Sequence, residues 1–244
     1  MKDTKIIMGM PITVEIVDEA TADDLNTVFI YLEQIDKKYS PYKKDSELSK
    51  INAGLAKKYW SKEMTAVMRL CEETKRLTKG YFNIQNNDKI DTSGLVKGWA
   101  IYNSYKLLKK RGLKNFYIEA GGDIQVLGEN SNNKPWAVGI RNPFNIDEII
   151  KVIKVKNKGV ATSGTYIRGD HIYNPNSNNK EVNTVKSLTV IGPNIYEADR
   201  FATAAFAMGQ QGIGFIESLD GFEGYMVDDK KTATLTSGFL NYVA

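Results

Sequence analysis

The chain has 244 residues, enough for one large domain or two fused halves, and its 42% hydrophobic and 25% charged residues exclude a disordered or fibrous protein. The formal charge is +4 and the Lys and Arg residues are spread along the chain, so nucleic acid is not an expected partner. No stretch reaches the roughly 20 apolar residues that cross a bilayer, which excludes an integral membrane helix.

The first segment carries no apolar run of signal-peptide length, so the expected location is cytoplasmic as the sequence stands, or exported if a leader has been removed. Ile6 to Val17 reads as one strand, because Thr13 to Val17 alternates polar and apolar residues. Thr21 to Asp36 reads as a helix: Thr21 followed by Asp24 resembles a capped start, and Leu25, Val28, Phe29, Leu32 and Ile35 recur at helical spacing. Ser40-Pro41-Tyr42 breaks the pattern, and a short helix resumes from Ser46. Lys62 to Thr78 is a further helix, stopped at Gly80. It contains Cys71, and a single cysteine allows neither an intrachain disulfide nor a cysteine-built zinc site.

A third long helix is expected from about Lys97 to Lys110, where Lys106, Lys109 and Lys110, with Arg111 and Lys114 beyond, read as a solvated face. Phe116 to Ile118 and Ile124 to Leu127 form a strand, glycine turn, strand unit around Gly121-Gly122. Strands follow at Ala137 to Ile140, Ile149 to Val155, Gly159 to Thr162 and Ser187 to Ile191, then a helix from about Ala198 to Met208 and strand-like pieces from Tyr225 to Val243. Strand pairs mixed with separate helices point to an α+β fold with mainly antiparallel sheet.

Three segments carry residues suited to a phosphate-bearing ligand. Asp91 to Gly98 (DTSGLVKG) precedes the predicted third helix, where free N–H groups and the positive dipole end suit a pyrophosphate and Lys97 adds a point charge. Its spacing is neither a P-loop nor a dinucleotide GxGxxG. Val160 to Tyr166 is a hydroxyl-rich turn, which in a loop also serves simply to satisfy its own backbone. It runs on to His171, the single histidine, whose intrinsic pKa suits proton transfer near neutrality but which also fits a structural role. Asp199 and Thr203 lie four residues apart on one helix face, offering two hard oxygens of the kind magnesium prefers. The same pair also fits a dipole-stabilising Asp and a packed Thr.

Taken in order, these segments resemble the motif set of the ApbE family, the FAD:protein FMN transferases. The resemblance rests on Met8-Gly9-Met10, Tyr39 to Asn52 (YSPYKKDSELSKIN), Asp91 to Ala100 (DTSGLVKGWA), Glu119 to Gly128 (EAGGDIQVLG), Val160 to Tyr166 (VATSGTY), His171 to Pro175 (HIYNP) and Ala198 to Ala204 (ADRFATA). It implies an α+β architecture of mainly antiparallel sheets flanked by helices, T-fold-related and duplicated, with a shortened insert between Phe82 and Asp91. Residues 1–244 are then one domain, readable as two intertwined halves with FAD between them.

The resemblance also implies a reaction: a Thr or Ser hydroxyl of a target flavoprotein attacks the FMN-side phosphorus of FAD, and AMP leaves. Magnesium is the implied cofactor, with manganese as a substitute because both favour oxygen ligands. Asp199, Thr203 and the Gly94 carbonyl are the implied metal ligands, and Asp199 and His171 the implied catalytic groups, His171 assisting hydroxyl deprotonation. Met10, Tyr42, the Tyr81-Phe82-Asn83 turn, Asp91, Lys97 and Ile172 are implied to line the nucleotide. Asn83, Asn174 and Tyr102 stand where the family commonly has Asp, and with the shortened insert they keep open an FAD-binding protein, or an FAD pyrophosphatase without protein acceptor.

Overall fold

The computed structural model describes residues 1–86, 88–164 and 184–244. The chain opens with a hairpin where one strand was expected: β1 (Lys2–Ile7) and β2 (Met10–Ile16) pair antiparallel, with Ile7 opposite Met10. The intervening Met8 and Gly9 both have left-handed φ, 55° and 72°, as a two-residue turn matching the strand twist requires. A methionine seldom adopts that conformation, so residue type carried no turn signal.

Helix α1 (Ala22–Tyr39) starts as predicted, with the Thr21 amide and hydroxyl each donating to the Asp24 carboxylate at 2.8 Å. Ser46 caps α2 (Glu47–Asn52), and Ser61 caps α3 (Lys62–Leu77) while its own N–H and hydroxyl donate to Glu47. Two short strands, β3 (Gln85–Asn86) and β4 (Lys89–Ile90), make up the link between Phe82 and Asp91. The Asn52 amide group bonds both backbone groups of Ile90, at 2.9 and 2.8 Å, imitating a neighbouring strand.

Helix α4 (Ser93–Lys110) begins one turn earlier than expected, because Asp91 Oδ1 accepts from the Ser93 amide and the Thr92 carbonyl accepts from Leu95 and Val96. Strands β5 (Phe116–Ala120) and β6 (Asp123–Leu127) turn at Gly121-Gly122, with Ala120 opposite Asp123. Then come β7 (Trp136–Asn142), β8 (Asn145–Val155), β9 (Gly159–Gly164) and β10 (Val185–Gly192). Helix α5 (Ile195–Ala207) also begins early, because Asn194 accepts from the Glu197 amide. Helix α6 (Gly212–Glu217), β11 (Glu223–Asp228) and β12 (Ala233–Leu235) close the order. The composition of α6 gave no helical signal; its first glycine fits because a Cβ there would stand 1.9 Å from the Ala205 carbonyl oxygen.

Eight strands form one antiparallel sheet in the order β1-β2-β5-β6-β9-β10-β11-β12, which bears out the α+β expectation. Its two halves meet at a narrow seam between β6 and β9, where only Ile124–Val160 and Gln125–Gly159 are in register. The larger core lies between the sheet and the helices, around Phe29, Leu95, Ile101, Phe116, Leu188 and Phe206. A second core fills the opposite face, where Trp136, Val138, Ile153 and Val155 of the β7–β8 ribbon pack against Val160, Ile191 and Val227. Among the described residues no helix is long and apolar enough to cross a membrane.

Candidate active site

The site begins with the packing of α4 on α5. Small residues face each other there: a Cβ on Gly98 would lie 2.6 Å from Asp199 Cβ, and one on Gly94 would lie 3.2 Å from Thr203 Cγ2. The Gly98 N–H donates to Asp199 Oδ2 at 2.8 Å. The Thr203 hydroxyl donates to the Gly94 carbonyl at 3.4 Å. Thus the three expected metal-binding residues stand against one another across two helices.

Lys97 lies inside α4, not ahead of it. Its ammonium is 2.6 Å from Asp123 Oδ2 and 3.9 Å from Asp199 Oδ1. Asp123, 1% exposed at the start of β6, has its other oxygen bonded to the Thr162 amide at 3.2 Å. Burial pushes the Asp199 carboxyl well above the usual carboxylate range and Asp123 adds to the effect, while Lys97 and the Gly98 amide oppose it. Among the described residues, two buried carboxylates thus face the one Lys97 ammonium. Asp123 was not among the residues expected at the site; its signal was the carboxylate directly after the Gly121-Gly122 turn.

Gly94, Lys97, Asp199 and Thr203 form one wall of a cavity of about 750 Å³, a size suited to a large organic ligand. Met10, Tyr42, Tyr81, Phe82, Asn83, Asp91, Gly94, Lys97, Asp199 and Thr203 all line it. Gly121 admits Met10, since a Cβ there would lie 2.8 Å from the Met10 sulfur. Tyr42 stands 93% exposed at the mouth, whereas Phe82 is buried in the wall near Gly94. Asn83 accepts from the Gln85 amide at 3.1 Å, and one Asp91 oxygen holds the start of α4, so both also shape their own loops. Thr92 and the stretch Thr162 to Gly164, which belong to two of the segments read from the sequence as suited to a phosphate-bearing ligand, line the cavity as well, as does Tyr39. His171, Ile172 and Asn174 lie outside the described residues. Tyr102 stacks on Tyr105 along α4 and is not part of the cavity lining.

Among the described residues no group of three or more His, Cys, Asp or Glu side chains is placed to hold a metal. One carboxylate, one hydroxyl and one carbonyl beside an open cavity instead fit a magnesium-type ion, which keeps waters and takes substrate phosphates as ligands.

The sequence model of the ApbE family matches residues 8–88 and 84–226, a span that takes in every residue of the cavity wall. The chain belongs to the ApbE family. Among similar ApbE-type proteins, the FAD:protein FMN transferase of Vibrio cholerae is 30% identical over 132 residues, 50% of this chain and 39% of the relative. That of Escherichia coli K12 is 25% identical over 147 residues, 57% of this chain and 42% of the relative. These matches therefore span about two fifths of the length of the curated relatives. Among solved structures, the flavin transferase ApbE from Vibrio cholerae superposes with a TM-score of 0.85 at 21% identity, covering 99% of this chain and 98% of that one. The ApbE protein from Thermotoga maritima gives 0.86 at 20% identity, covering 100% and 99%. At these identities the likeness establishes the ApbE fold over the whole chain.

Proposed function

We propose that this chain is a magnesium-dependent flavin transferase, moving FMN from FAD to a Thr or Ser hydroxyl of a target flavoprotein and releasing AMP. The observation that carries the reading is the convergence of the Gly94 carbonyl, the Thr203 hydroxyl and the Asp199 carboxylate on one wall of the cavity, with Lys97 beside them. The names of the relatives support it: those proteins are FAD:protein FMN transferases.

In this reading FAD lies across the two halves of a single domain. Gly94, Asp199 and Thr203 hold the magnesium ion, with manganese as a substitute. Bound there, the ion neutralises the pyrophosphate and stabilises charge developing on the leaving phosphate. Lys97 adds a point charge for the nucleotide phosphates, and Tyr42 offers an exposed ring at the mouth for a flat ligand. Met10, Tyr81, Phe82, Asn83, Asp91 and Ile172 line the remainder of the nucleotide. The acceptor hydroxyl oxygen bonds to the FMN-side phosphorus, the pyrophosphate bridge breaks, and AMP departs with the bridging oxygen and its electron pair. The hydroxyl proton passes to His171.

The test incubates the purified protein with FAD, magnesium chloride and a flavin-acceptor protein. Flavin fluorescence on the acceptor in a denaturing gel, together with AMP by chromatography, is the expected result, and Asp199→Ala abolishes both products. AMP with free FMN instead indicates hydrolysis, and FAD bound without either product indicates a binding protein.

A further inference from the structure

We propose that Asp123 is a positioning residue for the metal site: it holds the Lys97 ammonium off Asp199, so that the Asp199 carboxylate stays available to a divalent cation. The inference rests on the metal reading given above and concerns a residue which that reading does not use.

The geometry is specific. Lys97 approaches Asp123 Oδ2 to 2.6 Å, a close ion pair, but stays 3.9 Å from Asp199 Oδ1, beyond hydrogen-bond range. Asp123 cannot follow the lysine, because β6 carries it and the Thr162 amide of β9 fixes its other oxygen. Asp199 is fixed in turn by the Gly98 amide. Closing the second pair requires a shift of only about 1 Å in the ammonium, and among the described residues the carboxylate that draws it the other way is Asp123. Both carboxylates are at least nine-tenths buried, where an ammonium bound to Asp199 is weakly screened and opposes any cation arriving at the same oxygens. Losing Asp123 therefore turns Lys97 from a neighbour of the metal site into its competitor.

The experiment is manganese binding to the nucleotide-free protein, read by electron paramagnetic resonance of the unbound ion or by calorimetry. Asp123→Asn keeps an acceptor for the Thr162 amide but removes the charge that holds Lys97. In the otherwise unsubstituted chain it is expected to weaken manganese binding on the order of tenfold. In a Lys97→Met chain the same substitution is expected to change binding less than about twofold, because the competitor is gone. An equal loss in both backgrounds overturns the inference, since Asp123 then acts through its own charge alone; so does no loss in the chain that keeps Lys97. Absence of manganese binding by the unsubstituted protein is a separate outcome, which overturns the metal reading and the inference with it. If Asp123→Asn does not fold, as judged by circular dichroism, Asp123→Ser keeps a smaller acceptor for the Thr162 amide and is put through the same comparison.

Discussion

Gly98 and Asp199, 101 residues apart, join through a hydrogen bond of 2.8 Å at a point where α4 and α5 leave no room for a side chain. An added Cβ would stand 2.8 Å from the Ile195 carbonyl oxygen as well as 2.6 Å from Asp199 Cβ. Gly98→Ala therefore sets two effects against each other. Alanine is the better helix former by about 1 kcal/mol, but the overpacked contact costs about 1–3 kcal/mol and moves the helices that carry Gly94 and Thr203. A net loss of stability in urea unfolding is expected, together with a higher magnesium requirement for transfer. A variant that is more stable and keeps its magnesium response contradicts this packing.

Thr203 tests the hydroxyl separately from the packing. Its Cγ2 fills the space beside Gly94 and its Oγ1 points to the Gly94 carbonyl. Thr203→Val keeps the shape and loses the oxygen, so the fold is expected to persist while magnesium affinity falls about tenfold or more. Thr203→Ser, which keeps the oxygen, is expected to stay near the parent. Equal magnesium titrations for Val and Thr remove this hydroxyl from the metal site.

What the sequence made legible was mostly local. Asp199 and Thr203 could be assigned to one face because four-residue spacing fixes direction on any helix. The Thr21–Asp24 start and the Gly121-Gly122 turn were readable for the same reason. The pairing of Lys97 with Asp123 was not, because it depends on α4 lying against the start of β6, which no short-range pattern encodes. Asn52 shows the same limit: its place at the end of a motif was visible, its clasp on Ile90 was not. The turn at Met8 and the early start of α4 failed for another reason, since the deciding feature was backbone conformation or a cap rather than apolar periodicity.

Asp24 provides a pH-dependent test. The Thr21 amide holds its carboxyl below the usual carboxylate range; burial opposes this, and the Thr21 hydroxyl and Arg111 add to the lowering. A depressed folded-state pKa contributes stability that is present above the unfolded value of about 3.9 and is lost as pH falls through the folded value beneath it. Asp24→Asn is therefore expected to lower unfolding stability at pH 7 and to match the parent once the pH lies below the folded value. Urea unfolding from pH 7 down to pH 2.5 reads this directly; a deficit that stays constant over the whole range shows that shape, not charge, makes the contribution.

Tyr39 makes the opposite prediction, a gain on removal. Its phenol oxygen is buried with no hydrogen-bond partner among the described residues, and burial pushes its pKa up so that it stays a neutral hydroxyl. The ring itself packs edge-on against Trp99 at 6.0 Å, a contact that phenylalanine preserves. A buried hydroxyl without a partner costs about 1–3 kcal/mol of desolvation, and part of that returns when the oxygen is deleted. Tyr39→Phe is thus expected to raise the unfolding temperature by about 2–4 °C in scanning calorimetry. A fall of similar size means that the hydroxyl is satisfied in solution, and the one ready source is a water molecule entering from the adjoining cavity.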